Sequence, residues 1–493
     1  MRVVQNSQML LGEVDIAQIK FDPRSRDDIP KILRGLQHLY LNEALRQKVF
    51  TLLETEIAPE VSKTTGCPGM PLWNILVCGV LRLDLNEDYD RLHELVNHHD
   101  TVRQMLGHSP YFDYHYAYQT LVDNVSLVTP ELLDKINTLV VEEGHVLLKK
   151  DDAALRGRCD SFVVETHVHY PTDITLLFDA LRKAITLTAQ WCERAEQSEW
   201  RQYRYQIHRL KHLVRSAQQH KRRKATPDSA QANEAAIVQA HRELTERAQE
   251  QLTRVKATLT TLENGSPNPL QKLCIENFIH HAERQIDQIV RRVIQGETIP
   301  HAEKVFSIFQ PHTEWIVKGK AGIPVELGVR VCVMEDQYRF IVHHRVMTQE
   351  TDDKVAVQMV SDTQRKFPDF DACSFDKGFH SPANQSALKS LLTQVTLPRK
   401  GKLSQQAKAE EQTEAFVKAR RAHSAVESAI NALEVHGLDK CPDHGLPGFK
   451  RYVAWAILAR NIHRLGDIAW QRDAERERRR QAALRGKSQK QAA

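Results

Sequence analysis

The sequence predicts a mixed α+β protein: a helical N-terminal domain, then an α/β domain interrupted by a long helical insert. Three observations carry this. Helical periodicity runs almost unbroken from Ser25 to Lys149. One strand-like stretch, Arg158 to His169, is followed by residues 174–296 with almost no strand pattern. After Pro300, short apolar β-branched runs alternate with helical ones.

The chain has 493 residues, too many for one ordinary core, so two or three domains are expected. Residues 1–150 are read as a helical N-terminal domain and residues 151–173 with 300–466 as the α/β domain. Residues 174–299 are the insert, and 467–493 a basic tail. Asp27 to Leu41 places Ile29, Ile32, Leu33, Leu36, Leu39 and Tyr40 at helical spacing. Leu41 to Glu56 continues the pattern, and a turn-rich break from Gly66 to Pro71 follows. Leu72 to Leu85, Tyr89 to Asn97 and Thr101 to Leu106 are further short helices. None of them shows a clean helix-turn-helix pattern.

Arg158 to His169 reads as a strand carrying Cys159, Phe162, Val163, Val164 and Val168. Period-2 alternation puts Asp160 on the face of Phe162, Val164 and Thr166. A carboxylate among buried neighbours needs a metal or a cation to offset its desolvation. A salt-bridged strand-end aspartate is the plainer reading of Asp160 alone. His167 and His169 read as strand-surface histidines, because no further ligand pattern follows them. Pro171 ends the strand, and Thr172 or Asp173 can cap the helix that follows.

The insert reads as long antiparallel helices with a loop from Thr226 to Ala230. From Arg194 to Lys224 there are ten Lys or Arg against two Glu, with Tyr203, Tyr205 and His208 interleaved. The tail from Gln471 has eight Lys or Arg against three Asp or Glu. The net charge is only +5, so placement matters more than the sum. Clustered basic charge is the footprint of a polyanion such as nucleic acid, although a solvated helix face gives the same pattern.

Beyond Pro300, Thr313 to Lys318 is a strand, and Val325 to Met334 with Tyr338 to Met347 a hairpin around Glu335 and Asp336. Val355 to Lys366 is a helix. The strand Asp371 to Phe375 stops at Asp376, and the chain is expected to turn sharply at Gly378. Ser381 caps the next helix, with Pro382 at its first position. Val395 to Pro398 is a strand, Ala407 to His436 one long helix and Gly448 to Leu465 the last helix. On the long helix Arg420, His423, Ser424, Glu427 and Asn431 share a face. Each acidic residue alone has a bland reading as a salt-bridged surface group.

No run approaches 18 apolar residues, so no membrane span is expected. The N-terminus does not read as a signal peptide. The eight cysteines are scattered with no C-x-x-C pair, which suggests free thiols in a reducing cytosol.

Together these stretches resemble the DDE-type insertion-sequence transposases, with the ISNCY-type family as the nearest likeness. The resemblance covers most of the chain. GCPGMPLWNILVCGVL to DRLHELVNHHDTVRQMLG is similar to that family's N-terminal domain, and DSFVVETHVHYPTD to its first catalytic strand. KGKAGIPVELGVRV is similar to the following strands, FDKGFHSPANQSAL to the second aspartate motif, and RRAHSAVESAINALEVHGL to the glutamate helix. The resemblance implies an RNase H-like catalytic fold with Asp160, Asp376 and Glu427 as catalytic and metal-binding residues. It implies DNA cleavage and strand transfer at insertion-sequence ends. Two Mg²⁺ ions about 3.5–4 Å apart would serve the chemistry, with Mn²⁺ as a substitute. The implied partners are double-stranded DNA with terminal inverted repeats, target DNA and a second copy in a dimer or larger synaptic complex. The implied setting is the bacterial cytosol or nucleoid. Arg420, His423 and Glu434 stand where some members carry Tyr, Arg and Lys, so those roles do not carry over. Arg201, Arg204, Lys221, Arg222, Arg223, Lys377, Arg420, Arg421 and His423 remain candidates for DNA contact. A metal-dependent nuclease that cuts without joining, and a non-catalytic DNA-binding derivative, are the alternatives.

Overall fold

The computed structural model describes residues 2–5, 13–22, 24–57, 65–109, 114–148, 154–223, 229–265, 267–317 and 325–491, with side chains to 480. The expected loop at Thr226 and the start of the KGKAGIP stretch lie outside these residues. The chain divides into two compact units, residues 1–167 with 316–493, and residues 168–315.

Seven helices open the first unit: α1 (Ile29–Leu41), α2 (Glu43–Ile57), α3 (Leu72–Asp84), α4 (Tyr89–His98), α5 (Asp100–Met105), α6 (Tyr118–Val125) and α7 (Pro130–Leu148). Local chemistry explains several of their limits. Pro30 sits in the first turn of α1, where its missing N–H costs nothing. Asp88 caps α4 by accepting from the Arg91 N–H at 2.8 Å. All of α3 is buried, as its unbroken apolar sequence requires. The strand β1 (Leu155–Thr166) follows.

The second unit is helical. It contains α8 (Asp173–Arg194), α9 (Tyr203–Arg222), α10 (Ala230–Gly265) and α11 (Pro269–Ile289), the last running into a π-helical turn, Val290–Ile294. Thr172 and Thr175 form a reciprocal capping box at the start of α8. Leu177, Leu181, Leu244, Leu252, Val255 and Ile275 belong to the unit's own core.

The chain then forms β2 (Glu314–Val317), β3 (Val325–Asp336), β4 (Ile341–Met347), α12 (Asp352–Lys366), β5 (Phe370–Phe375), α13 (Pro382–Leu391) and β6 (Gln394–Thr396). After these come α14 (Gln405–Glu411), α15 (Glu414–His423), α16 (Ala425–Leu433), β7 (Lys440–Cys441) and α17 (Gly445–Gln491). The strands make one mixed sheet in the order β2-β3-β1-β5-β6, with β4 on β3 and β7 on β1. β1 is antiparallel to β3 and parallel to β5 and β7. Among the described residues no helix is long and apolar enough to cross a membrane.

The two sheet faces follow the alternation of β1 and β3. Phe162, Val164, Val329, Val331 and Val333 join a core with α1 to α7 and α17. Cys159, Cys332 and Met334 join the opposite core with α12 and β5. The first 150 residues therefore do not have a core separate from the sheet, because α17 and the sheet are what their apolar faces pack against. All eight cysteines are free thiols.

One expectation is corrected here. The single helix expected over Ala407 to His436 is three helices. Thr413 caps α15 by accepting from the Phe416 N–H at 3.4 Å. Ser424 donates to the Arg421 carbonyl at 2.8 Å, and α16 starts afresh after it. The chain does turn at Gly378, within the short 3-10 turn Lys377–Phe379, and without a left-handed backbone there; a Cβ at this position would stand 2.9 Å from the end of the Asp352 side chain.

A buried amide network fastens α7 and α17 to the hairpin. Asn461 Oδ1 accepts from the Ile341 N–H at 3.0 Å, and its Nδ2 donates to Ile341 O at 2.9 Å and to Asn137 Oδ1 at 2.7 Å. Asn461→Leu keeps the bulk and orphans those groups. A loss of about 3 kcal/mol is expected in urea unfolding; a loss under about 1 kcal/mol would show that the network is not needed.

Burial and the Lys366 ammonium push His343 down to about 3, and burial pushes its neighbour His344 down to about 4. Both stay neutral in the fold, while in the unfolded chain they protonate near 6.5. The unfolded state thus binds more protons below pH 6.5, and stability present at pH 7 is lost as pH falls. Each histidine contributes a loss of about 2 kcal/mol at pH 5. Buried acids that bind protons more tightly when folded act oppositely, so the comparison is with a His343→Gln, His344→Gln variant. Its stability is expected to change less between pH 7 and pH 5 than that of the wild type, by urea unfolding at both pH values. Equal changes would contradict the assignment.

Candidate active site

Strand register brings the two aspartates together. β1 and β5 run parallel, and their last aligned pair is Cys159 with Phe375. One step further, Asp160 within β1 stands beside Asp376, which follows the end of β5. Asp160 is aligned with Val333 across β3, so it points to the face that packs against the N-terminal helices. The same face receives α16, whose Ala429 and Leu433 belong to that core. Glu427, on the first turn of α16, is exposed beside them.

The other acids bear on the charge of Asp160. Burial raises the Asp160 carboxyl to about 6, and Asp376, Asp352 and Glu427 push in the same direction. The Ser161 N–H, 2.8 Å from Asp160 Oδ1, opposes them. Asp376 is exposed and caps the short 3-10 turn Lys377–Phe379. Lys400 holds that turn by donating to the Gly378 carbonyl at 2.7 Å.

Asp352 is the acidic residue that sequence reasoning missed. It opens α12, and its Oδ1 accepts from Ser161 Oγ at 2.6 Å. The acidic run from Glu350 to Asp353 was the available signal, since carboxylates favour a helix N-terminus.

His423 is half-buried. Its Nδ1 lies 3.0 Å from Ser374 Oγ on β5, and its Nε2 is buried without a hydrogen-bond partner. Burial holds its pKa below the ordinary value against the pull of Asp376 and Glu427. Arg158 pairs with Glu335 at 2.7 Å, and burial raises Glu335 to about 7. Lys377, Arg420 and Arg421 are exposed, as are Arg201, Arg204, Lys221, Arg222 and Arg223 in the helical unit. His169 pairs with Asp179 at 3.5 Å.

No family model, curated protein or solved structure matches this chain.

The donor chemistry suits a hard cation: four carboxylates interact, and burial and the other three disfavour charge on Asp160. The geometry is less complete. Among the described residues no group of three or more His, Cys, Asp or Glu side chains is placed to hold a metal ion.

Proposed function

We propose that this chain is a DNA transposase of the DDE type, which cuts DNA at element ends and joins them to a target. The observation that carries the reading is the parallel register of β1 and β5, which ends one residue before Asp160 and Asp376, together with the influence of Asp376 and Glu427 on the Asp160 carboxyl. The order β4-β3-β1-β5-β6, an antiparallel meander followed by two parallel strands, supports an RNase H-like catalytic fold.

Asp160, Asp376 and Glu427 would hold the divalent ions, Mg²⁺ or Mn²⁺. Bound there, such ions supply charge neutralisation at phosphorus and a more acidic attacking hydroxyl. The remaining work falls to the chain itself. Asp160 must give up its proton to act as an oxygen donor. His423, neutral and tied to Ser374, fixes the start of α16 against β5 and so positions Glu427. Lys377, Arg420 and Arg421 offer exposed charge for DNA phosphates, and the basic face of α9 supplies salt-dependent contacts. Joining two ends calls for at least two copies of the chain.

The test is an assay with DNA carrying the ends that flank the gene, in Mg²⁺, comparing wild type with Asp376→Asn. Cleaved and joined products from wild type alone support the reading. Cleavage without joining would replace it with a nuclease, and metal-independent binding without chemistry would make the chain a DNA-binding derivative.

A further inference from the structure

The helical unit contains a cavity of about 350 Å³ whose interior the transposase reading does not use, although Lys221 and Arg222 in its lining are also among the candidates for DNA contact. It is lined by Thr172, Asp173 and Ile174 at the start of α8, Lys221 and Arg222 at the end of α9, and His241 on α10. Ile289 and Arg292, at the end of α11 and in its π turn, complete it with Gln218. We propose that this cavity binds a phosphorylated small molecule, a phosphomonoester with a compact apolar body.

Charge is the first argument. Arg292 is matched by Asp173 at 2.7 Å. Lys221 and Arg222 make no ion pair among the described residues, so the cavity carries two uncompensated positive charges. The first-turn N–H groups of α8 at Asp173 and Ile174 add donors and a favourable dipole. The π turn is a form often found at functional sites, and here it carries Arg292 to Asp173.

His241 is the second and independent argument. It is only 3% exposed. Its Nδ1 lies 2.7 Å from the Ile237 carbonyl, so that nitrogen carries the hydrogen and donates. Nε2 has no partner among the described residues, and the ring lines the cavity. Burial lowers the pKa of His241, with Lys221 and Arg292 acting in the same direction and Ile237 and Asp173 against them. A neutral Nε2 accepts a hydrogen bond. A monoester phosphate offers both the anionic oxygens that Lys221 and Arg222 select and a P–O–H that can donate to Nε2. A DNA phosphodiester has no such hydrogen. Ile174 and Ile289, both buried, leave an apolar wall for the rest of the ligand.

The test is calorimetric titration of the full-length protein with inorganic phosphate and with phenyl phosphate. Saturable one-to-one binding is expected, with phenyl phosphate about tenfold tighter because its ring is buried. A Lys221→Gln, Arg222→Gln variant is expected to bind at least about tenfold more weakly with unchanged thermal unfolding, since both residues are exposed. An Arg209→Gln, Lys211→Gln control, also exposed on α9, is expected to bind like wild type. Absence of saturable binding, an equal loss in the control, or displacement of phenyl phosphate by a short DNA duplex would each overturn the proposal; the last would assign the cavity to a backbone phosphate. The proposal stands apart from the transposase reading, and its test needs no DNA chemistry.

Discussion

Asp376→Asn is expected to abolish Mg²⁺-dependent cleavage and joining while leaving folding and DNA binding intact. The substitution keeps the shape of the side chain and an oxygen able to cap the turn at Gly378, which Asp376 now accepts from at 3.5 Å. It removes a full negative charge from the group of carboxylates around Asp160. Because Asp376 is exposed, the change leaves no buried polar group unmatched. The fall in rate is expected to be at least about 10²–10³-fold, the effect of removing one electrostatic group from a reaction centre. End binding in a gel-shift assay and thermal unfolding are expected to match wild type. A variant that still cleaves within a few-fold of wild type would remove Asp376 from the site, and the reading built on it would fall.

Gly466→Val is expected to have the largest effect on stability. Where α1 crosses α17, backbone meets backbone. A Cβ on Gly466 would collide with the Lys31 carbonyl, and one on Gly35 with the Ile462 carbonyl. Carbonyl oxygens fixed in a helix cannot move aside as a flexible side chain can, so the two helices must separate. Separation opens the packing of Ile32, Leu33, Leu36, Ile462 and Leu465, all fully buried. Overpacking typically costs about 1–3 kcal/mol, and a backbone collision belongs at or above the top of that range. A loss of at least about 3 kcal/mol is expected in urea unfolding. Gly35→Ala combined with Gly466→Ala is expected to cost less than the sum of the single changes, since either one already forces the helices apart. A Gly466→Val protein as stable as wild type would mean that the crossing is not tight.

What the sequence made legible was local. The stripe of α1, the strand through Cys159 and Val164, the caps at Thr172 and Ser381 and the strand end at Asp376 all depend on neighbours a few positions away. Period-2 alternation placed Asp160 on the face that the structure gives it. The acidic run around Asp352 was visible, but its bond to Ser161 was not, because it joins residues 191 positions apart. The breaks at Thr413 and Ser424 were hidden, because neither residue is a strong helix breaker and only their side-chain hydrogen bonds end the helices. The shared core of the N-terminal helices, the sheet and α17 was also hidden, since an apolar stripe announces that it will be covered but not by what.

The position of α17 also bears on how the chain comes into being during synthesis. Arg34 on α1 binds Asp473 on α17 across 439 positions, and α17 packs on α1, α3, α7 and β4. At about 5–20 residues per second a ribosome needs roughly 20–90 s to make the chain between those two residues. Throughout that interval the apolar faces of α1 and α3 lack their cover, while the four helices of residues 168–315 already have each other. The carboxylate-bearing unit can therefore close only after α17 has been made, and until then the nascent protein carries exposed apolar surface of the kind that a chaperone recognises.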